Sequence, residues 1–327
     1  MSRPNIVGTW LGLACASLLG LCWQDSVRGA DAAKPKEVDA KDAATKFLRV
    51  LRDDKKRPVA MQTAIVRYER PQPAGAEKPA DPLYVDLIGA VHVGDTSYYE
   101  QLNKEFDNYD VLLYELVAPK DKAVPKAGKR SAHPIGMMQQ GMTGVLDLDY
   151  QLDRIDYKKK NFVHADMSPD DFSKSMADRN ESMLTMMFRM MGYGIAQQSR
   201  HPERNFEAQL IAAFFDRNQA LALKRVMAQQ FEDLEGPMGM LDGPTGSTII
   251  TERNKVAFEV LAREIKAGKK HLGVFYGAGH LPDMEKRLAN DFGLKPIETR
   301  WMDAWDLSGA KPAAKAPAAE APRRKAG

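Results

Sequence analysis

The chain has 327 residues, 44% of them apolar and 28% charged, and a net charge of +3. That composition suffices for one sizeable core, and so small a basic excess, part of it in Arg323, Arg324 and Lys325, excludes a nucleic-acid footprint. Its two cysteines, Cys15 and Cys22, both lie near the N-terminus, so a chain cleaved beyond them has no disulfide, thiol nucleophile or Cys-ligated zinc.

A basic start at Arg3, an apolar stretch from Ile6 to Trp23 and small residues near Ala30 and Ala32 read as an export signal over residues 1–32. The expected location is periplasmic or extracellular. An uncleaved stretch of this length would instead anchor the chain in a membrane. Leu21 before Cys22 disfavours lipid attachment there. Residues 33–41 and 308–327, rich in Ala, Lys, Pro and Glu, read as a linker and a disordered tail around a domain over 42–307.

Asp42 is a candidate cap for a first amphipathic helix carrying Phe47, Val50 and Leu51. The segments Val59 to Tyr68 and Leu83 to Val91 predict a β-hairpin across a Pro/Gly-rich loop. The hairpin leads into Gly89-Ala90-Val91-His92. Asp95 or Thr96 then caps a helix with Tyr98, Leu102 and Phe106 on one face, and Val111 to Val117 follows as a buried strand interrupted by Glu115. Asn161 to Asp166 predicts a strand ending in polar side chains, with His164 and Asp166 on one face. Otherwise residues 135–265 look mostly helical, with a helical insertion over about 168–247.

The C-terminal part repeats the grammar of the first. Strand Leu272 to Tyr276 leads to Gly277-Ala278-Gly279-His280, Pro282 opens a helix, Gly293 stops it, and a strand from Ile297 to Trp301 follows. The pattern predicts an α/β fold: a central, mostly parallel sheet with pseudo-repeat halves, flanking helices and the helical insertion.

In such a sheet the functional edge lies at the carboxyl ends of the strands. His92, Glu115 and His280 fall there, and two histidines with one carboxylate are a common first shell for a catalytic divalent metal. A buried Glu115 needs a counter-charge. A metal supplies one; an ion pair with Arg253 is the alternative. His164 and Asp166 are possible additions to the site. His133, His201 and His271 read as solvated loop residues. Met183, Met186, Met187, Met190 and Met191 form a stripe that reads as core or as a pliable groove. The Gly-rich stretch from Gly236 to Gly246 lacks a Walker lysine, and no His-Glu-x-x-His is present.

Gly89-Ala90-Val91-His92, Tyr114-Glu115-Leu116, Arg253-Asn254 opening a helix, and Gly277-Ala278-Gly279-His280-Leu281 together resemble the TraB/GumN/Tiki superfamily, related more distantly to erythromycin esterases and haem-binding ChaN proteins. The resemblance covers roughly residues 83–300, loosely in the middle. It implies a metal site at His92, Glu115 and His280 that takes manganese, cobalt or zinc. Arg253 and Asn254 match a further family signature, implied to orient a carboxylate or a substrate carbonyl. Leu116-Val117 departs from Tiki proteins, which carry an acidic residue after the glutamate. The expectation is an exported metal-dependent hydrolase of peptide or ester bonds, with Glu115 as ligand or general base and Arg253 steadying the oxyanion. The competing expectations are a non-catalytic haem- or ligand-binding protein and a degenerate member whose histidines only organise the fold.

Overall fold

In the computed structural model, the residues described are 47–72, 75, 82–119, 144–182, 184–186, 192, 206–232, 242 and 245–309. Among these residues nine strands and the helices between them follow in chain order: β1 (Leu48–Arg52), β2 (Pro58–Glu69), β3 (Tyr84–Ala90), β4 (Val93–Gly94), α1 (Thr96–Glu105), β5 (Val111–Tyr114), β6 (Asp149–Tyr150), α2 (Gln151–Arg154) and β7 (Phe162–His164). Then come α3 (Pro169–Asp178), α4 (Phe206–Phe214), α5 (Gln219–Glu232), a π-helical turn (Thr248–Glu252) running into α6 (Arg253–Lys266), β8 (His271–Gly277), α7 (Leu281–Phe292) and β9 (Lys295–Asp306). The fold is α/β. Seven strands form one mixed sheet, in which β3, β8, β5 and β7 lie side by side and parallel. On the other flank β2 pairs antiparallel with β1, β3 and β9.

The expected hairpin is β2 with β3, in register from Ile65 opposite Ile88 to Glu69 opposite Tyr84. The helix expected around Phe47, Val50 and Leu51 is instead strand β1, paired with β2 from Leu48 opposite Thr63. Leu48 and Val50 are buried while Leu51 is exposed, a period of two. The long strand β2 extends past β3 and offers β1 a ladder that a helix could not use. Asp42 lies outside the described residues.

The two strand-His-helix units agree as far as their helices. β3 leads to α1 and β8 leads to α7, yet the returning strands differ: β5 lies parallel beside β8, whereas β9 crosses to pair antiparallel with β2. The helices also pack on different cores. Tyr98, Tyr99, Leu102 and Phe106 of the first unit join Leu112, Phe275 and Trp305, while Leu281, Met284 and Leu288 join Val85, Leu87, Val274 and the α6 residues Ala257, Phe258 and Leu261.

A buried ionic group lies at one edge of the sheet, at the amino ends of β8 and β5. Asp86, fully enclosed, accepts two bonds from Arg67 at 2.9 Å each and one from Tyr109 at 2.9 Å. Burial pushes the Asp86 carboxyl up, and its contacts with His271, Arg67 and Tyr109 outweigh that and hold it below its usual range. His271, expected in a solvated loop, starts β8 half-buried with Nε2 3.0 Å from Arg67 Nη2. His133 and His201 lie outside the described residues, as do four of the five methionines of the stripe; Met186 is buried. Among the described residues no helix is long and apolar enough to cross a membrane.

Gly273 of β8 faces the core that holds Ile88, Tyr109 and Leu112. A Cβ there would lie 2.5 Å from Leu112 Cδ1, 3.1 Å from Ile88 Cδ1 and 3.2 Å from Tyr109 Cδ1. The Gly273→Val variant is therefore expected to lose about 1–3 kcal/mol through overpacking. Urea unfolding, monitored by circular dichroism, measures the loss.

Candidate functional site

Each of the four parallel strands delivers one polar side chain at its carboxyl end. His92 follows β3, His280 follows β8 through a 3₁₀ turn (Ala278–His280), Glu115 follows β5, and Asp166 follows β7. The turns are held by the backbone: Glu115 N–H donates to the Phe275 carbonyl at 3.2 Å, and Ala165 N–H to that of Tyr114 at 3.3 Å. Arg253 and Asn254 come from the first turn of α6, where both are buried.

His92, Glu115 and His280 do converge. The measure of it is Gly277, where a Cβ would lie 3.2 Å from Glu115 Oε2, 3.8 Å from His280 Cδ2 and 4.0 Å from His92 Nε2. Gly277 also donates its N–H to Glu115 Oε2 at 2.7 Å. Its lack of a side chain lets the backbone approach the carboxylate this closely. The environments are unequal: His280 is buried, Glu115 is half-buried and His92 is exposed at the rim.

Arg253 is the counter-charge. Its Nη2 donates to Glu115 Oε1 at 2.7 Å and to Asp166 Oδ2 at 2.6 Å, and its Nε donates to Asp166 Oδ1 at 2.9 Å. Burial alone would push the Glu115 pKa up, but the charge of Arg253, helped by His280, His92 and the Gly277 N–H, leaves it far below the usual carboxylate range. Burial lowers the Arg253 pKa and the charge of Glu115 with the Asp166 bond more than restores it, so the guanidinium stays charged.

Asn254 determines the state of His280. Its Nδ2 donates to the His280 carbonyl at 3.1 Å and to Asp283 Oδ2 at 2.8 Å, which leaves Oδ1 as the atom 2.7 Å from His280 Nδ1. Nδ1 must then carry the proton, and Nε2 turns its lone pair toward Glu115 Oε1 at 3.5 Å and Arg253 Nη1 at 3.4 Å. Burial, partly opposed by the charge of Glu115, lowers the His280 pKa to about 4, so the ring is neutral at ordinary pH.

The chemistry of this donor set suits a divalent cation. One imidazole has its lone pair aimed inward by a second-layer amide, as metal-binding histidines do, and two carboxylates against one guanidinium leave the buried group with a net charge of about −1. The spacing is looser than the chemistry. Among the described residues no three His, Asp or Glu side chains stand at ligand spacing, since the Arg253 guanidinium reaches between Glu115 and His280.

His164 and Asp166 part company instead of sharing a face. β7 ends at His164, whose Nε2 lies 2.6 Å from the Leu116 carbonyl and so pins the turn after Glu115. Asp166 belongs to the site as the bidentate partner of Arg253. Three participants were not read from the sequence: Asp283, which orients Asn254; Tyr276, whose ring stands 5.3 Å from that of His280; and Gln151, whose N–H donates to the His92 carbonyl at 2.9 Å. Asp283 sits three residues after His280 in the first turn of α7, a spacing that could have suggested it. Gln151 is brought in only by pairing of β6 with β4. No family model, no curated protein and no solved structure matches this chain.

Two outcomes follow for stability. Arg253→Met would leave two enclosed carboxylates without a counter-charge and is expected to cost about 3–5 kcal/mol in urea unfolding. The second concerns pH in the metal-free protein. His280 titrates near 4 when folded and near its ordinary 6.5 when unfolded, so between those values the unfolded chain binds more protons. Its contribution is therefore complete above about pH 6.5 and is lost as pH falls toward 4, by up to about 3 kcal/mol. Glu115, with its depressed pKa, adds a loss of the same sign below about 4.5. Unfolding titrations in a chelator should show a slope between pH 6.5 and 4.5 that is reduced in His280→Asn.

Proposed function

We propose that this chain is an exported, metal-dependent hydrolase of peptide or ester bonds, of the TraB/GumN/Tiki type that its motifs resemble. The observation that carries the reading is the His280–Asn254 bond, which turns a neutral imidazole lone pair onto Glu115 opposite His92 in a buried group of net negative charge. The bond fixes the tautomer that a cation-binding imidazole needs.

In this reading His92, Glu115 and His280 hold the cation, which can be manganese, cobalt or zinc. When bound, it supplies Lewis acidity toward a carbonyl and acidifies water. Glu115 contributes charge. A general base works best with a pKa near the working pH, and the depressed pKa of Glu115 suits it to holding a cation more than to taking a proton. Arg253, already fixed by Asp166, has its Nη1 directed at the His280 side, where it can steady the oxygen of a substrate carbonyl. His92 at the exposed rim leaves the group open to substrate from one side.

The test is metal analysis of the purified chain together with a panel of peptides and esters assayed with manganese, cobalt and zinc. The wild type is expected to retain metal and turn over at least one substrate class, a chelator to abolish turnover, and Glu115→Gln to lower it by about 100-fold or more. The His92→Ala/His280→Ala variant is expected to lose the metal. Inactivity with every metal, together with a Soret band on haem titration that this double variant abolishes, would replace the hydrolase with a haem-binding protein.

A further inference from the structure

Gln151, whose backbone is bonded to that of His92, carries one polar atom that the fold itself does not use. Gln151 is 4% exposed. Its N–H donates to the His92 carbonyl at 2.9 Å, and its Nε2 donates to the Tyr157 hydroxyl at 2.9 Å. Its Oε1, buried as well, has no hydrogen-bond partner among the described residues. Tyr157 ties this amide to the other side of the site: its ring stands 5.2 Å from that of Tyr114, the residue before Glu115. Burial pushes the Tyr157 phenol up, opposed by the Gln151 bond and helped by the charge of Glu115, so it stays a neutral hydroxyl able to accept from Gln151.

Nearly all buried polar atoms in folded proteins are bonded, because an enclosed acceptor without a donor costs stability. Replacing Gln151 by an apolar residue of similar shape would relieve that cost, so packing alone does not call for an amide here. The amide is also anchored at its other end, so Oε1 is held in place before any ligand arrives. Tethering of Gln151 to the backbone of His92 places it beside the group proposed to hold the reacting bond.

We propose that Gln151 reads the substrate, its Oε1 accepting a hydrogen bond from an N–H next to the bond that is cleaved. The site then prefers amides that carry this N–H over esters of the same shape. In an ester the N–H becomes an oxygen, which sets lone pair against lone pair at Oε1, and sites built to bond a donor discriminate strongly against analogues lacking it. The location of the reacting bond rests on the hydrolase reading above; the unsatisfied acceptor does not.

The experiment uses the full chain supplied with manganese. Its probes are N-acetylated tripeptide amides of alanine, leucine and phenylalanine, and depsipeptides in which each backbone N–H in turn is replaced by oxygen. Binding is followed by ligand-observed NMR and turnover by chromatography. The wild type should bind at least one depsipeptide about 10-fold or more weakly than its parent peptide, and Gln151→Met should bind the two alike. Tyr157→Phe, which keeps Oε1 but removes the hydroxyl that orients the amide, should show a smaller preference and guards against a Gln151→Met chain that fails to fold. Equal binding of every pair by the wild type, a preference unchanged in Gln151→Met, or no binding of any probe would each overturn the assignment. A preference without turnover under any metal would sink the hydrolase reading and keep Gln151 as the reader; turnover without preference would do the reverse.

Discussion

One guanidinium shared between two carboxylates organises the carboxyl edge of the sheet in this protein. Glu115 and Asp166 arrive from neighbouring parallel strands, and water reaches little of either. Removing both charges from solvent would be prohibitive without Arg253 between them. Because Arg253 takes Asp166 through two nitrogens, its plane is set before Glu115 is considered. The remaining contacts inherit that orientation: Glu115 is turned so that its second oxygen meets the Gly277 N–H, and His280 meets the third guanidinium nitrogen, Nη1.

The sheet carries ionic groups at both ends, and they differ in kind. At the amino edge Asp86 is bonded by Arg67 and Tyr109 and has His271 close by, a saturated network that joins β2, β3 and the start of β8. At the carboxyl edge two carboxylates share one guanidinium, one imidazole keeps a lone pair facing inward and another is exposed. Balanced charge suits holding strands together. An excess of negative charge beside an opening suits a ligand.

Much of this was legible in the chain. The doubled Gly-x-x-His marks two strand ends where the missing side chain allows close approach, of Gly89 to the carbonyls of Ala64 and Phe47 and of Gly277 to Glu115, and Glu115 is conspicuous as the only charge in an otherwise apolar run. Arg253 could be named as a partner for Glu115, but its equal grip on Asp166 depends on β5 and β7 being neighbours, which no local pattern states. The segment from Phe47 to Arg52 misleads for a related reason. Phe47, Val50 and Leu51 match a helical spacing while Leu48 and Val50 match a strand, and the choice is made by β2, whose length offers a ladder. Gln151 is silent in the sequence, since its position next to His92 is set by the two-residue pairing of β4 with β6.

The π-helical turn from Thr248 to Glu252 has a consequence for how the site tolerates change in its length. A π turn spends one more residue per turn than an α-helix and is a common way for a helix to absorb a single inserted residue near a functional position. Here it immediately precedes Arg253 and Asn254. Removing one residue from that turn would let it relax to ordinary α geometry while the helix beyond keeps its orientation, because the wide turn confines an insertion that would otherwise rotate one side against the other by about 100°. With α6 locked into the core by Ala257, Phe258 and Leu261, the change would fall on the segment before it, where Ser247 caps the turn and Glu252 meets Arg179. The extra residue acts as a spacer, allowing the chain before α6 to vary while the two residues that govern Glu115 and His280 keep their aim.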